Sequence, residues 1–555
     1  MNYLYSKKKI LGYTNPLAIN IILIIIIIIT TIYLTTTTSN ITVNKAFTNN
    51  NLINYNYTIL IDKIGMLFVI LVRIVTTNVI NYSAYYISKD IYKNRFILIL
   101  FLFILSIIIL AVSQNLLIAL VGWDGLGITS YILVNYYQNT KSTSSATITI
   151  VINRLGDASL VIAIAIIIPS KYIDILNFMT PPSIILIIAA IVKRAQFPFR
   201  SWLPAAIAAP TPVSSLVHSS TLVTAGLFLI IRHTELIIEQ IYKWLIIIGV
   251  TTILFSSHSA YSESNIKKII ALSTLRQLGL IFLFLGCKQI NITMFHLTIH
   301  AFFKSILFIL AGTFLHNLQG NLDTRYIISN YTSYYLILVS AVIGNLALIG
   351  VPYYSGFFSK DLTIEVSISQ IINNYITLSI ILSIFITITY SYKIILTIRT
   401  NTNTQFVINK LRLKEIQITV IIIPCITYTI YGAWLYITSV TDNYIKSVIL
   451  FTNKFYILII IVTSIVLLSI FWSKINKKFK KISYNSYFIK TSLANIRQLT
   501  NKVKYFIITN EKNLLDLILG RKAKLIIMNI VLIVCTNNNY IKALFIIIIA
   551  LLFSR

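Results

Sequence analysis

The chain has 555 residues, a mean hydropathy of +0.84, a formal charge of +31, and only 11% charged residues. Soluble domains carry about 25% charged residues, and many apolar runs here reach the roughly 20 residues that cross a bilayer. We therefore exclude a soluble protein and predict an all-α polytopic membrane protein, because such long continuous runs are unlike barrel strands. The positive charge does not indicate nucleic-acid binding, since no soluble domain is left to carry a basic patch.

In chain order, the apolar runs predict about fifteen transmembrane helices. The predicted spans are 17–38, 57–82, 95–113, 115–137, 145–168, 182–199, 211–231, 242–259, 267–287, 292–316, 333–355, 371–398, 416–438, 453–472 and 526–552. When these spans alternate, the basic clusters fall on one side of the membrane, in agreement with the positive-inside rule. The basic clusters are Lys7–Lys9, the loops at 83–94, 260–268 and 399–415, and the run from Lys474.

Three segments depart from a simple span. Residues 474–525 are basic, and their apolar residues recur three or four positions apart, which predicts an amphipathic helix along the membrane surface. A solvated linker is the alternative for this segment. Two other segments look like interrupted helices: Lys193 is followed by Pro198, and Gly350 and Pro352 precede Lys360. Paired interruptions are typical of inverted-repeat transporters and predict the transport site.

Lysines inside apolar stretches are the strongest functional signal in the chain. Lys193, Lys304 and Lys360 each lie in such a stretch, and an ionisable group at membrane depth indicates a functional site by default. His296, His300 and Lys304 follow at intervals of four and therefore share one helix face. Imidazole groups can relay protons near neutral pH. A zinc pair, which would need a third ligand, and histidines with purely structural contacts are the alternatives.

Acidic side chains in the spans are few. Asp124 lies in the stretch GWDGLG, and a carboxylate in an apolar helix needs a cation as partner or stays protonated. Lys193 is the natural candidate, and a purely structural ion pair is the alternative. Asp157 follows Arg154 by three residues and could pair with it. His218 is the one histidine of its predicted helix, and by itself it fits a structural role.

No residue pattern indicates a cofactor in this chain. The cysteines Cys287, Cys425 and Cys535 are far apart, and no CxxC motif, GxGxxG motif or Walker loop is present. We therefore expect no metal, iron–sulfur or nucleotide site, and we expect any redox chemistry to belong to partner proteins.

Six stretches, in order, are similar to signature sequences of one family. They are GWDGLGITSYILV, NRLGDASL, AQFPFRSWLPAAIAAPTPVSSLVHSSTLVTAG, NIKKIIALSTLRQLGL, HLTIHAFFKSILFILAG and GFFSKD. From about Asp62 to Lys393 the chain thus resembles the NADH–ubiquinone oxidoreductase chain 5 family, the distal antiporter-like membrane subunits of respiratory complex I. The resemblance implies two inverted five-helix repeats, each with a broken helix, and a central line of hydrated charged residues.

The resemblance also implies a function: proton translocation in the mitochondrial inner membrane, coupled to NADH:ubiquinone oxidoreduction elsewhere in the complex. FMN, iron–sulfur clusters and ubiquinone are expected in other subunits. The partners implied are neighbouring antiporter-like subunits and membrane lipids. The site residues implied are Asp124 paired with Lys193, Asp157 after the Asn–Arg motif, His218, the relay of His296, His300 and Lys304, and an exit-side pair of Lys360 and Asp361.

On this basis we divide the chain into regions. They are the N-terminal helices (1–113), two antiporter-like repeat regions (114–260 and 261–438), a further span (439–473), the lateral amphipathic helix (474–525) and a C-terminal anchor (526–555). The chain departs from the family pattern at Asp124, where glutamate is usual, and at Arg194 and Arg276, where small residues are usual. One span precedes Asp62, where the family has two. Two alternatives stay open: a sodium/proton antiporter subunit, and a structural end-piece of complex I that no longer pumps.

Overall fold

The computed structural model describes the middle of the chain with short gaps. It describes residues 41–46, 56–88, 90–170, 180–219, 221–234, 237–317, 335–351, 354–357, 359–360, 374–399 and 463. The spans predicted at 17–38, 416–438 and, apart from residue 463, 453–472 lie outside the described residues. So do the predicted lateral helix at 474–525 and the predicted anchor at 526–552.

Helices dominate the described residues. In chain order the elements are β1 (Ile41–Ala46), β2 (Asn56–Ile61), α1 (Lys63–Tyr86), α2 (Lys93–Val112), α3 (Leu116–Val134), α4 (Thr140–Ser170), α5 (Thr180–Lys193), α6 (Trp202–Ala205), a 3₁₀ turn (Ala206–Ala208), α7 (Thr211–Val217), α8 (Leu222–Arg232), α9 (Glu239–Ser262), α10 (Ile266–Gly286), α11 (Ile290–Asn317), α12 (Tyr335–Ile349) and α13 (Asn374–Arg399). Within the described part of the chain, nine helical segments are long and apolar enough to cross a membrane, counting α7 and α8 as one.

The expectation of an all-α chain is wrong at its N-terminal side. Strands β1 and β2 form an antiparallel hairpin in which Ile41 pairs with Ile61 and Ala46 pairs with Asn56. The strand sequences ITVNKA and NYTILI are rich in β-branched residues, which favour extended backbone. The span predicted at 57–82 therefore begins only at Lys63. Asp62 caps the new helix, because its carboxylate accepts a hydrogen bond of 3.1 Å from the backbone N–H of Gly65.

The span predicted at 211–231 is a broken helix. Helix α7 ends at Val217 and α8 begins at Leu222. Between them, the hydroxyl of Thr221 donates to the carbonyl of Leu216 at 2.8 Å, and the hydroxyl of Ser219 donates to the carbonyl of Ser215. Side-chain donors thus replace backbone donors at the break, as serine and threonine readily do. The window of this span is wholly buried, which is where interrupted backbone is tolerated in a membrane.

Helices end at both predicted interruptions. Helix α5 stops at Lys193, and the backbone N–H of Gln196 donates to the carbonyl of Ile191 at 3.1 Å while Ala195, at a φ of 56°, turns the chain away. This is a Schellman ending with alanine in the place that glycine usually takes. Helix α12 ends before Gly350. The φ of Gly350 is 86°, in the left-handed region that glycine adopts without steric cost because it has no Cβ atom.

The broken helix and helices α10 and α11 form the centre of the described bundle. Their membrane windows are 94–100% buried, whereas those of the surrounding helices are 33–50% buried. The outer helices present large apolar side chains to their surroundings; examples are Leu98, Phe101, Val151, Trp244 and Phe255. The polar side chains of the site therefore lie on enclosed helices.

Helices α9 and α10 approach each other at glycines. A Cβ atom built on Gly279 would lie 2.5 Å from Oγ1 of Thr252 and 3.0 Å from the carbonyl oxygen of Gly249. A Cβ atom on Gly249 would lie 2.9 Å from the carbonyl oxygen of Gly279. The backbones touch at this crossing, so α10 has no room to move outward or to carry a larger residue here.

Replacing Gly279 with valine should therefore destabilise the bundle. We expect a loss of about 1–3 kcal/mol, the usual range for overpacking, measured by thermal unfolding of the detergent-solubilised protein. Ile247→Val is the matched control, because Ile247 is on α9 but 48% exposed. Equal melting temperatures for Gly279→Val and the control would contradict the close crossing.

Candidate functional site

The charged and imidazole side chains singled out in the sequence lie inside the bundle. Lys193, Lys304, His296 and His300 have no exposed surface. The exposed fractions of Lys360, Asp157 and His218 are 7%, 7% and 1%. Asp124 is half-buried, and Asp361 lies outside the described residues. Burial of this kind costs free energy unless each group finds a partner, so the partners define the site.

Lys193 has a carboxylate partner, Asp157. Its Nζ atom lies 3.6 Å from Oδ1 of Asp157, donates to the backbone carbonyl of Trp123 at 3.2 Å, and sits 4.6 Å from the centre of the Trp123 ring. The indole N–H of Trp123 donates to the same oxygen of Asp157 at 2.8 Å. Helices α3, α4 and α5 each supply one of these three residues. The sequence reasoning missed Trp123, although it directly precedes the flagged Asp124.

The direct ion pair of Lys193 is with Asp157, and no direct ion pair of Lys193 with Asp124, the partner that the sequence favoured, is found among the described residues. Oδ1 of Asp124 is buried and has no hydrogen-bond partner among the described residues. The reason is rotation about the axis of α3, because Trp123 and Asp124 are adjacent and point about 100° apart on a helix. The predicted contact between Arg154 and Asp157 is confirmed at 3.5 Å, with the Arg154 side chain 52% exposed.

Gly127 leaves space beside this ion pair. A Cβ atom there would lie 3.8 Å from Nζ of Lys193 and 3.9 Å from Oδ2 of Asp157. Glycine one turn after Trp123 therefore keeps a methyl group away from the two charges.

His218 lies at the break of the central helix, where the sequence predicted continuous helix. It is the C-cap residue of α7, and its ring centre is 6.3 Å from that of Trp202. Neither ring nitrogen has a hydrogen-bond partner of standard geometry among the described residues, although the backbone of Ala206 is close. The structure thus places this histidine among the buried polar groups, at the point where the helical backbone is interrupted.

His296 connects helix α10 to the segment that carries Lys360. Its Nδ1 atom is 3.0 Å from the hydroxyl of Ser359, and its Nε2 atom is 3.2 Å from Oε1 of Gln277 on α10. Ser359 directly precedes Lys360, so the imidazole reaches the backbone segment that carries the lysine. The ring centre of His300 is 6.4 Å from that of His296. Both ring nitrogens of His300 are buried with no partner among the described residues.

Lys304 and Lys360 are held by neutral oxygens. Nζ of Lys304 donates to the hydroxyl of Ser273 at 2.5 Å and to the carbonyl of Ile270 at 3.4 Å. Nζ of Lys360 donates to the carbonyl of Leu348 in the last turn of α12. A Cβ atom on Gly350 would lie 3.1 Å from Cδ of Lys360, so this glycine also makes room for the lysine. Ser273 and Gln277, four residues apart on α10, are site residues that the sequence reasoning missed.

Arg194 and Arg276 are fully buried guanidinium groups. None of the side-chain nitrogens of Arg194 has a hydrogen-bond partner among the described residues, and its guanidinium carbon is 4.9 Å from the centre of the Phe282 ring. Arg276 donates to the hydroxyl of Ser383 at 3.3 Å and lies beside Tyr390. Arginine does not lose its charge in proteins, so both residues add fixed positive charge near the histidines.

Within the described residues, no group of three or more histidine, cysteine, aspartate or glutamate side chains could hold a metal ion. The arrangement that is present consists of proton donors and acceptors. It can hold and pass protons, because lysine and histidine exchange them and the hydroxyl and amide groups orient them.

Comparison with known proteins gives two family matches. The family described as "NADH:quinone oxidoreductase/Mrp antiporter, TM" matches residues 113–387, and the one described as "NADH-Ubiquinone oxidoreductase (complex I), chain 5 N-terminus" matches residues 47–97. Relatives named NADH-ubiquinone oxidoreductase chain 5, among them those of Lumbricus terrestris, Locusta migratoria, Anopheles arabiensis and Mytilus edulis, are similar to this chain. Over 342 residues the chain is 42% identical to that of Lumbricus terrestris, covering 60% of this chain and 59% of the relative. It is 42% identical to that of Anopheles arabiensis, and the match covers 57% of this chain and 85% of the relative. It is 38% identical to that of Mytilus edulis, and the match covers 64% of each chain.

The chain spans about three fifths of the length of the Lumbricus and Locusta relatives that it matches. Two solved structures are similar in fold. One is the Mrp complex from Dietzia sp., with a TM-score of 0.68 at 19% identity, covering 91% of this chain and 58% of that chain. The other is the membrane-bound sulfane sulfur reductase, an archaeal respiratory membrane complex, with a TM-score of 0.65 at 20% identity, covering 75% and 89%. At these identities the likeness concerns the fold alone.

The geometry predicts that Asp157→Asn is more damaging than Asp124→Asn. Removing one partner of a buried ion pair costs about 3–5 kcal/mol, and Asp157 is the residue that pairs with Lys193. Thermal unfolding of the two variants measures the difference. A larger loss of stability for Asp124→Asn would contradict the observed pairing.

Replacing Arg194 with serine should raise stability. A buried guanidinium without acceptors costs several kcal/mol, whereas a serine hydroxyl can donate to the carbonyl four residues earlier, as Ser391 donates to Thr387. Thermal unfolding of Arg194→Ser is compared with that of Arg95→Ser, which changes an exposed arginine. A lower melting temperature for Arg194→Ser than for Arg95→Ser would show that the guanidinium has a stabilising partner.

Proposed function

Because this chain belongs to the NADH-ubiquinone oxidoreductase chain 5 family, we propose that it is a proton-translocating subunit in the membrane arm of respiratory complex I. Its place would be the mitochondrial inner membrane, and its neighbours would be other antiporter-like membrane subunits and lipids. Quinone reduction elsewhere in the complex would drive it. FMN, iron–sulfur clusters and ubiquinone would belong to other subunits, and this chain would contribute no redox centre.

The observation that carries the proposal is the enclosure of so many titratable groups. Lys193, His296, His300 and Lys304 have no exposed surface, and each lies on a helix that is apolar overall. Ionisable groups at membrane depth are costly, and in membrane proteins they mark ion and proton pathways. A purely structural bundle would bury apolar side chains at these positions.

Lys193 and Asp157 would act as the proton switch in the first half of the bundle, which comprises helices α1–α8. While the ammonium group is held against the carboxylate and the carbonyl of Trp123, it keeps its proton. Moving the ammonium away from Asp157 would favour release of that proton to the next acceptor. Transfer of one charge against 100 mV costs about 2.3 kcal/mol, and the loss or gain of a buried charge pair is worth at least as much.

The second half would relay the proton between Lys304 and Lys360. Ser359 connects the Lys360 segment to His296, and His300 lies one turn away from both His296 and Lys304. The centres of the two imidazole rings are 6.4 Å apart, which exceeds a direct hydrogen bond, so a water molecule would have to bridge them. The unpartnered nitrogens of His300 offer polar contacts to such a water molecule. Asp361, as the residue after Lys360, would assist release.

The experiment measures protons moved per electron in the purified complex, reconstituted in vesicles. We expect Lys193→Met and Lys360→Met to lower this ratio while NADH oxidation continues, since the redox reaction would take place in other subunits. Lys288→Met is the matched control, because Lys288 is 54% exposed in its side chain and lies between α10 and α11.

An unchanged ratio in Lys193→Met and Lys360→Met would instead support a structural end-piece that no longer pumps. A ratio that depends on sodium concentration in the wild-type complex would favour the antiporter alternative.

A further inference from the structure

A second well-built ion pair lies outside the relay, at one edge of the bundle. Nη1 of Arg232 is 2.6 Å from Oδ1 of Asp62, and Nη2 donates to the backbone carbonyl of Leu60 at 3.2 Å. The side chains of Arg232 and Asp62 are 8% and 17% exposed. The same Asp62 oxygen accepts the cap hydrogen bond from Gly65. Arg232 is the last residue of α8, whereas Leu60 is in strand β2 and Asp62 is the N-cap residue of α1.

The residues around this ion pair are closely packed and leave no space for a side chain at Gly65. A Cβ atom on Gly65 would lie 2.6 Å from Oδ1 of Asp62, 3.2 Å from Nη1 of Arg232 and 3.2 Å from the carbonyl oxygen of Ala111 at the end of α2. The guanidinium carbon of Arg232 is 5.6 Å from the centre of the Phe228 ring. Phe228 in turn stacks on Phe68 of α1, with ring centres 4.7 Å apart. The end of α8 is therefore fixed by charge, by a backbone contact and by ring stacking.

Helix α8 connects this edge to the switch of the first half. Its other end is the break after His218, so the helix is not held by a continuous backbone helix there. At Gly226, α8 touches α5 directly: a Cβ atom would lie 3.1 Å from the carbonyl oxygen of Ala190 and 3.2 Å from Cγ of Arg194. Ala190 is three residues before Lys193, in the last turn of α5. Gly226 lies about 9 Å along the helix axis from Arg232, so one short helical segment joins the ion pair to the turn that carries Lys193.

We propose that Asp62 and Arg232 are positioning residues for Lys193. Their ion pair sets the axial position of α8, and α8 sets the distance of Lys193 from Asp157. This inference rests on the proposed function, because its effect is read as coupled proton transfer. Neither residue touches Lys193, and neither takes part in the relay.

The test uses the intact complex reconstituted in vesicles, with Asp62→Asn, Arg232→Met, Arg232→Lys and the charge exchange Asp62→Arg with Arg232→Asp. Protons per electron and NADH oxidation per complex are measured as functions of pH. Glu239→Gln is the matched control, because it breaks an ion pair with Lys288 in which the side chains are 84% and 54% exposed. Exposed pairs contribute little, so this control should keep the wild-type ratio.

We expect Asp62→Asn and Arg232→Met to lose most of the proton transfer that Lys193→Met abolishes, with a shifted pH profile and with NADH oxidation per complex unchanged. Arg232→Lys, which keeps the charge but not the fork that also reaches Leu60, should give an intermediate ratio. The charge exchange should recover part of the loss relative to either single variant. A merely structural role would reduce the amount of complex but leave the ratio and pH profile of the remaining complex unchanged.

Wild-type ratios and pH profiles in Asp62→Asn and Arg232→Met would overturn the proposal. If those variants do not assemble, Arg232→Lys decides: an intermediate ratio supports the proposal, and a wild-type ratio overturns it. Lys193→Met, measured in parallel, separates the two hypotheses. If it too keeps the wild-type ratio, the proposed function fails. If it lowers the ratio while the Asp62 and Arg232 variants do not, only the positioning role fails.

Discussion

An ammonium group enclosed by apolar helices is held most strongly by a carboxylate, and in the first half of this bundle a single contact supplies one. Lys193 reaches Asp157 and the carbonyl of Trp123 from the last turn of α5. That contact requires three helices to meet at fixed depth. It also requires α5 to end at Lys193, which the left-handed Ala195 achieves. The backbone of the first half is arranged around this ion pair.

In the second half, the hydrogen bonds described for the lysines go to neutral oxygens. Nζ of Lys304 donates to the hydroxyl of Ser273 and to the carbonyl of Ile270, and Nζ of Lys360 donates to the carbonyl of Leu348 in α12. A hydrogen bond to a neutral oxygen stabilises an ammonium group less than a hydrogen bond to a carboxylate does. Lys193, which reaches the carboxylate of Asp157, therefore has a stronger acceptor than Lys304 has.

Close backbone packing keeps these groups in place without filling the space around them. Gly249 and Gly279 bring α9 and α10 into contact, and Gly226 brings α8 against α5. Small residues at helix crossings are the usual means of close approach in membranes, where the hydrophobic effect does not drive one helix onto another. The ion pair between Asp62 and Arg232 adds an electrostatic anchor at the edge of the bundle. The close helix crossings and this ion pair together hold the helices that carry the buried charged groups.

The sequence by itself determined the membrane class, the positions of most described spans to within a few residues, and the family. It also placed His296, His300 and Lys304 on one helix face, because helical periodicity depends only on spacing. It did not determine the partner of Lys193, since Asp124 and Asp157 lie on different helices and only the rotation of those helices decides which carboxylate faces the lysine. The hairpin before α1 and the break after His218 were likewise decided by tertiary structure. An apolar run of 20 residues reads the same whether its hydrogen bonds continue as a helix or are interrupted by serine and threonine side chains inside a packed bundle.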